Sequence, residues 1–211
     1  MTDDDVTVPD DDRFTILFVC RANICRSPMA ERLARHAIAC RLGAQAEVFA
    51  VHSAGTHALA DQPMHPHTER VLRERQADVA GFRSRLVGAG HLGSADLVLT
   101  ASRRHRAHCV NLAPQAVART FTVRQFGRLA GAVVAAPVGT GAAVGVTADT
   151  PTARARGLIT AAAAARSRIQ PVSAGQDDLA DPVLRPLADF RDCADQISRT
   201  LDVLLDLITK P

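Results

Sequence analysis

Phe14-Thr15-Ile16-Leu17-Phe18-Val19 runs directly into Cys20-Arg21-Ala22-Asn23-Ile24-Cys25-Arg26-Ser27-Pro28. The first six residues form a short, nearly continuous apolar run rich in β-formers, as expected of a strand buried on both faces of a parallel sheet. Ser27 is a good helix N-cap and Pro28 a good first helical residue. Leu33, Ala34, Ala37 and Ile38 then recur at helical spacing. The unit is strand, loop, helix.

The rest of the chain repeats that alternation. Val48–Val51 reads as a second strand turning at Ser53-Ala54-Gly55-Thr56, and His67–Arg75 as a helix. Asp96–Thr100 is a third buried strand, Ser102–Leu112 a helix stopped by Pro114, and Val117–Val123 a fourth strand. Strands alternating with helices predict an α/β domain: a four-stranded parallel sheet with helices on both faces, a flavodoxin-like three-layer arrangement. Leu187, Phe190, Ala194, Ile197, Leu201, Leu204, Leu205 and Ile208 predict a long amphipathic closing helix. Residues 127–176 differ. Gly131–Ala148 is Gly/Ala/Val-rich and reads as a loop, while Thr152–Arg168 reads as a helix around Ala161–Ala165. The segment is treated as an insertion within a single domain over 13–211.

Composition narrows the functional classes. The 211 residues suit one α/β domain. No apolar run approaches the roughly 18–20 residues that a membrane helix needs, and the acidic N-terminus is the opposite of a secretory leader. A soluble, cytoplasmic protein with no membrane partner is expected. There is no Trp and no Tyr, which argues against single-strand nucleic-acid binding by base stacking. Six of the 22 acidic residues lie in residues 1–12, read as a disordered tail, so the remainder has 16 acidic against 25 basic residues. That excess suits an anionic substrate. Five cysteines at irregular spacing make neither a disulfide framework nor a zinc site, so no metal is expected and reduced thiols are the default.

The loop Cys20-x5-Arg26-Ser27 carries the chemistry. A short loop curled around a centre can aim the amides of Arg21, Ala22, Asn23, Ile24, Cys25 and Arg26 inward, and the following helix N-terminus adds positive potential. Together they suit a tetrahedral dianion. Arg26 adds a planar fork for two oxygens. The same potential favours the thiolate of Cys20, poised for in-line attack on a bound phosphoryl group. Ser27 can donate a hydrogen bond to that sulfur.

These residues resemble the low-molecular-weight protein tyrosine phosphatase family. The likeness rests on Ile16–Cys20, Asn23, Cys25-Arg26-Ser27-Pro28, Ala30-Glu31, Ser53-Ala54-Gly55-Thr56, Ser84-Arg85, Ala95–Thr100 and Asp181-Pro182. It implies metal-free, cofactor-free hydrolysis of a phosphotyrosine protein or another aryl phosphate through a cysteinyl-phosphate. Cys20 would be the nucleophile, Arg26 the phosphate clamp, Asn23 the brace of the loop and Ser27 the support of the thiolate. Asp181 would be the general acid and then base, in competition with Asp177 and Asp178. Cys25 would be a redox partner protecting Cys20, against a plain packing role. Two positions depart from the family pattern: Val183 stands where an aromatic residue usually follows Asp-Pro, and Phe82 where a His usually supports the loop Asn. Two further readings remain. One is an arsenate reductase on the same fold, for which the chain offers Thr100 and Cys109 where two more thiols are needed. The other is a non-catalytic phospho-ligand module.

Overall fold

The computed structural model describes residues 13–135 and 148–209. The acidic tail and the centre of the Gly/Ala/Val-rich stretch lie outside the described residues. The elements in chain order are β1 (Phe14–Cys20), α1 (Arg26–Leu42), β2 (Phe49–Gly55), α2 (Pro66–Glu74), α3 (Ala89–Ser94), β3 (Leu97–Thr100), α4 (Arg103–Leu112), β4 (Thr120–Thr122), α5 (Val123–Ala135), α6 (Pro151–Ala165), α7 (Ala174–Asp177) and α8 (Leu187–Ile208). The strands form one parallel sheet in the order β2-β1-β3-β4. This is the expected α/β architecture.

The continuous apolar run of β1 is explained by what lies on its two sides. Phe14, Ile16, Phe18 and Cys20 face one core with Met29 and Leu33 of α1, Phe126 and Leu129 of α5, Leu158 of α6 and Phe190, Ile197 and Leu201 of α8. Leu17 and Val19 face a second core with Leu92 of α3, Val98 of β3 and Cys109 of α4. Helices therefore cover both faces, and every side chain of β1 must be apolar or small. Each fully buried Leu, Ile or Phe contributes about 1.5–3 kcal/mol of transfer free energy, so the apolar stripe of α8 clamps one face of the sheet. No helix among the described residues is long and apolar enough to cross a membrane.

Four expectations shift. The first helix starts at Arg26 with Cys25 at its N-cap position and no side-chain cap, because the Ser27 hydroxyl is committed to the loop instead. The fourth strand is only Thr120–Thr122, and the residues before it, Pro114–Arg119, wind into a 3-10 helix. The helix read as Thr152–Arg168 spans Pro151–Ala165. Gly131–Ala135, read as loop, completes α5, whose apolar side buries Phe126, Leu129, Ala130 and Val133. Residue 127, the expected start of the insertion, therefore lies inside a helix.

The register brings Gly55 at the end of β2 beside Cys20 at the end of β1. A Cβ at Gly55 would lie 2.6 Å from the Arg21 carbonyl oxygen and 2.9 Å from the Asn23 amide nitrogen. Both obstacles are backbone, so neither can swing aside. Gly55→Ala is expected to lower unfolding free energy by about 1–3 kcal/mol, the usual cost of overpacking. Gly93→Ala, where a Cβ meets nothing within 4 Å, should change it by no more than about 0.5 kcal/mol. Chemical denaturation of the two variants checks this.

Candidate active site

β1 is a central strand, and its C-terminal end opens at the sheet edge where the connections diverge to β2 on one side and β3 on the other, the usual position of a ligand crevice in such sheets. The loop after it is turned inside out by its neighbours. The carbonyls of Cys20 and Arg21 accept from the amides of Thr56 (2.9 Å) and His57 (2.8 Å), that of Ile24 from His65 (2.8 Å), and that of Cys25 from Met29 (3.1 Å). Asn23 takes a left-handed backbone conformation with φ 55°, which Asn tolerates better than most residues. Among the described residues, the amides of residues 21–25 find no acceptor. Carbonyls turned out and amides turned in make an anion-binding concavity.

A chain of buried side chains fixes that shape. Asn23 Oδ1 accepts from the Arg85 amide at 2.9 Å, and its Nδ2 donates to Ser27 Oγ (2.9 Å) and Ser53 Oγ (2.8 Å). Ser53 in turn donates to Glu31 at 2.5 Å, and Glu31, itself buried, is neutralised by Arg35 at 2.9 Å. Phe82 takes no part in bracing Asn23. It is buried, with the Arg32 guanidinium 5.9 Å from its ring centre. Ser27 Oγ lies 3.0 Å from Cys20 Sγ and 3.2 Å from the Ala54 carbonyl. Its one proton can serve either the sulfur or the carbonyl.

Arg26 is buried and reaches across to the segment before α8. It donates to the Leu179 carbonyl at 3.1 Å and to Asp181 at 2.5 Å. The three candidate acids separate here. The Asp177 carboxylate is buried between Arg103 (2.9 Å) and Arg128 (3.2 Å). Asp178 accepts from the Arg103 amide at the start of α4. Only Asp181 faces the cavity of about 440 Å³ at the mouth of the loop.

Three histidines line this cavity that sequence reasoning missed. His57, His105 and His108 share the wall with Arg21 and Arg104. The His57 and His108 rings lie 5.8 Å apart. Burial, reinforced by Arg26, pushes His105 down to about 4, so it is neutral near pH 7, with its Nδ1 2.7 Å from Ser102 Oγ. The available signal was topological: Arg103–Arg106 opens the helix after β3, and therefore sits at the same sheet edge as Cys20.

Burial makes weak acids of Cys25, Cys109 and Cys193. Cys25 is buried and pushed up to about 12 by burial and by the neighbouring Cys20 and Asp181. Burial alone pushes Cys109 up to about 12; it packs in the core on the opposite face of the sheet from Cys20 and Cys25. Burial likewise takes Cys193 to about 12.

Comparison with known proteins agrees with this geometry. A family model described as low molecular weight phosphotyrosine protein phosphatase matches residues 15–144. A protein-arginine-phosphatase of Geobacillus stearothermophilus is 34% identical over 113 residues, covering 54% of this chain and 71% of the relative. The low molecular weight protein-tyrosine-phosphatase Wzb of Escherichia coli K12 is 35% identical over 100 residues, covering 47% and 63%. In three dimensions the YwlE arginine phosphatase of Geobacillus stearothermophilus superposes with a TM-score of 0.62 at 25% identity, covering 92% of this chain and 91% of that one. A strand, an anion-binding loop and a sheet of this order, matched over more than half of the chain, leave one assignment: the chain belongs to the low-molecular-weight phosphotyrosine protein phosphatase family.

Proposed function

We propose that this phosphatase hydrolyses phosphotyrosine in proteins, with Cys20 as nucleophile, Arg26 and the amides of Arg21–Arg26 as the phosphate cradle, and Asp181 as general acid and base. Phosphoester hydrolysis through a cysteine nucleophile is the family's chemistry. The observation that supports the residue assignment is the loop of unpartnered amides that follows Cys20, whose Sγ lies 3.0 Å from Ser27 Oγ, with Asp181 bound to Arg26 at 2.5 Å.

The order of events follows from those contacts. An incoming phosphate dianion competes with Asp181 for the Arg26 guanidinium, and the exchange frees the Asp181 carboxyl for the leaving oxygen. Asp181, once released by Arg26, takes a proton from solvent; Cys20 Sγ then attacks phosphorus in line, the P–O bond to the phenol breaks, and Asp181 delivers that proton to the departing oxygen. Asp181, now a carboxylate, removes a proton from water as water attacks phosphorus. The S–P bond breaks and sulfur leaves as a thiolate. At that moment the Ser27 proton, otherwise free to point at Ala54, is drawn to the sulfur. Bound oxyanion and amides carry the charge throughout.

The cavity walls favour a phenolic ester. Arg21 and Arg104 at the mouth repel the guanidinium that a phosphoarginine side chain keeps beside its P–N bond, whereas a phenyl ring brings no positive charge. The same residues attract acidic flanking sequence, worth up to about 1 kcal/mol for each exposed pair. The relatives named for phosphoarginine make this the comparison to run: phosphotyrosine and phosphoarginine forms of one peptide. We place the activity in the cytoplasm, supported by five free thiols, and take 13–211 as the phosphatase domain.

Cys20→Ser is expected to abolish turnover of p-nitrophenyl phosphate while keeping phosphate binding, and Arg26→Ala to lose both. Retention of a tenth of the wild-type rate by Cys20→Ser would overturn the covalent mechanism. Asp181→Asn should slow an alkyl or unactivated aryl ester by about 10²–10⁴-fold, and the nitrophenyl ester much less, because nitrophenolate leaves without a proton. Asp178→Asn should leave that ratio unchanged; equal losses on both esters in Asp181→Asn would move the acid elsewhere. Cys25 is proposed to trap oxidised Cys20 as a disulfide. Peroxide-inactivated wild type should then regain activity with dithiothreitol, and Cys25→Ser, active beforehand, should recover poorly. Full recovery of Cys25→Ser would dismiss the role.

A further inference from the structure

The described residues hold a second concentration of positive charge. Arg103 and Arg106 of α4, Arg128 of α5 and Arg166, just beyond α6, converge on a cavity of about 250 Å³. It shares no lining residue with the cavity at Cys20. One carboxylate answers these four guanidiniums. It is Asp177, 3% exposed, which pairs with Arg103 and Arg128. Arg106 and Arg166 have no carboxylate within ion-pair distance among the described residues. Both instead donate to the same carbonyl, that of Thr120, at 2.9 and 2.5 Å. Two half-buried cations on one acceptor repel each other. Burial lowers Arg106, and burial together with Arg106 pushes Arg166 down to about 10.

Structural roles account for part of this cluster. Arg166 lies 3.8 Å over the Phe121 ring and also donates to the Val117 carbonyl. Arg103 ties down the Ser173 carbonyl at 3.2 Å. They leave a remainder. Arg128 Nε and Nη1 and Arg166 Nε are buried with no hydrogen-bond partner. A buried donor without an acceptor costs about 1–3 kcal/mol, and one carboxylate cannot neutralise four guanidiniums. A tetrahedral oxyanion, with several acceptor oxygens and two charges, supplies both deficits through forked arginine contacts.

We propose that this cleft between α4, α5 and α6 is a second oxyanion site that takes a phosphate group. The group could be carried by free inorganic phosphate or by a second phosphoryl group on the protein substrate. Both offer the same dianion, and the test separates them.

The test is an amide NMR titration of the ¹⁵N-labelled chain with inorganic phosphate. Two separate sets of shifts are expected, one over residues 21–27 and one over residues 103–106, 125–129 and 166. Arg106→Gln/Arg128→Gln should weaken the second set by on the order of tenfold or more and leave the first in place, which also reports that the variant is folded. A parallel titration of Cys20→Ser uses a peptide bearing phosphotyrosine and a second phosphoryl group. Cleft shifts with the peptide, at concentrations where free phosphate gives none, assign the site to substrate; shifts with phosphate alone assign it to the free anion. Cleft amides that respond to neither ligand, or that respond equally in the double variant, overturn the proposal. Loss of the 21–27 response alone would count against the phosphatase reading and not against this one.

Discussion

The active site depends on where the carbonyls of one five-residue loop point. A loop that must present several amides to an anion has to dispose of its own carbonyls elsewhere, since buried backbone acceptors are costly to leave unpaired. Here the parallel register of β1 and β2 does this. It carries the amides of Thr56 and His57 past the end of the sheet to reach the Cys20 and Arg21 carbonyls, while His65 takes the Ile24 carbonyl. The contact is close enough that only glycine fits at position 55. Asn23 completes the inversion with its left-handed backbone and spends all three of its side-chain hydrogen bonds holding it. The site is thus preorganised by backbone pairing before any substrate arrives, which is what electrostatic catalysis requires.

The second constraint is the buried charge of Arg26. A guanidinium taken out of water must be matched, and a buried pair broken by removing one partner is strongly destabilising. Arg26 meets the Leu179 carbonyl and Asp181, so the cation proposed to clamp the phosphate also positions the carboxylate proposed as general acid. On the proposed mechanism, two groups needed at one phosphorus atom are thereby placed by a single interaction. The proposed mechanism requires that interaction to be exchanged, not merely kept. The Asp181 side chain is 43% exposed, so water has access to the carboxylate when Arg26 is drawn to another anion.

Much of this was legible in the sequence. The apolar run Phe14–Val19 gave a buried central strand because both faces of β1 are covered, and the 3–4 spacing from Leu187 gave α8 because one side of that helix is core. Cys20, Arg26 and Ser27 were legible because their spacing is itself the geometry of the loop. What escaped depended on long-range placement. His57, His105 and His108 come from two separate segments and share a wall only through the sheet order. Asp177 looked equivalent to Asp181 in the acidic run, and only tertiary contacts with Arg103 and Arg128 bury one and leave the other at the cavity. Gly131–Ala135 looked like a loop because small residues lack a strong apolar period, yet packing against α6 and α8 holds them in α5.

The excess of arginine, which composition alone left as a general attraction to anions, is resolved by the structure into places. One group of arginines surrounds the Cys20 loop and another surrounds Asp177, and the four residues from Asp178 to Asp181 are the tether between them. That tether is pinned along its length: Thr122 Oγ1 donates to the Asp177 carbonyl just before it, Arg103 holds Asp178 through its amide, the Leu179 amide donates to the Ala101 carbonyl, and Arg26 takes Leu179 and Asp181. No apolar anchor of comparable size lies in this stretch except Leu179, which is 3% exposed. The position of the carboxylate at the catalytic cavity is therefore set by polar contacts at both ends of a short segment. Such contacts, unlike core packing, respond to whichever anion the flanking arginines hold.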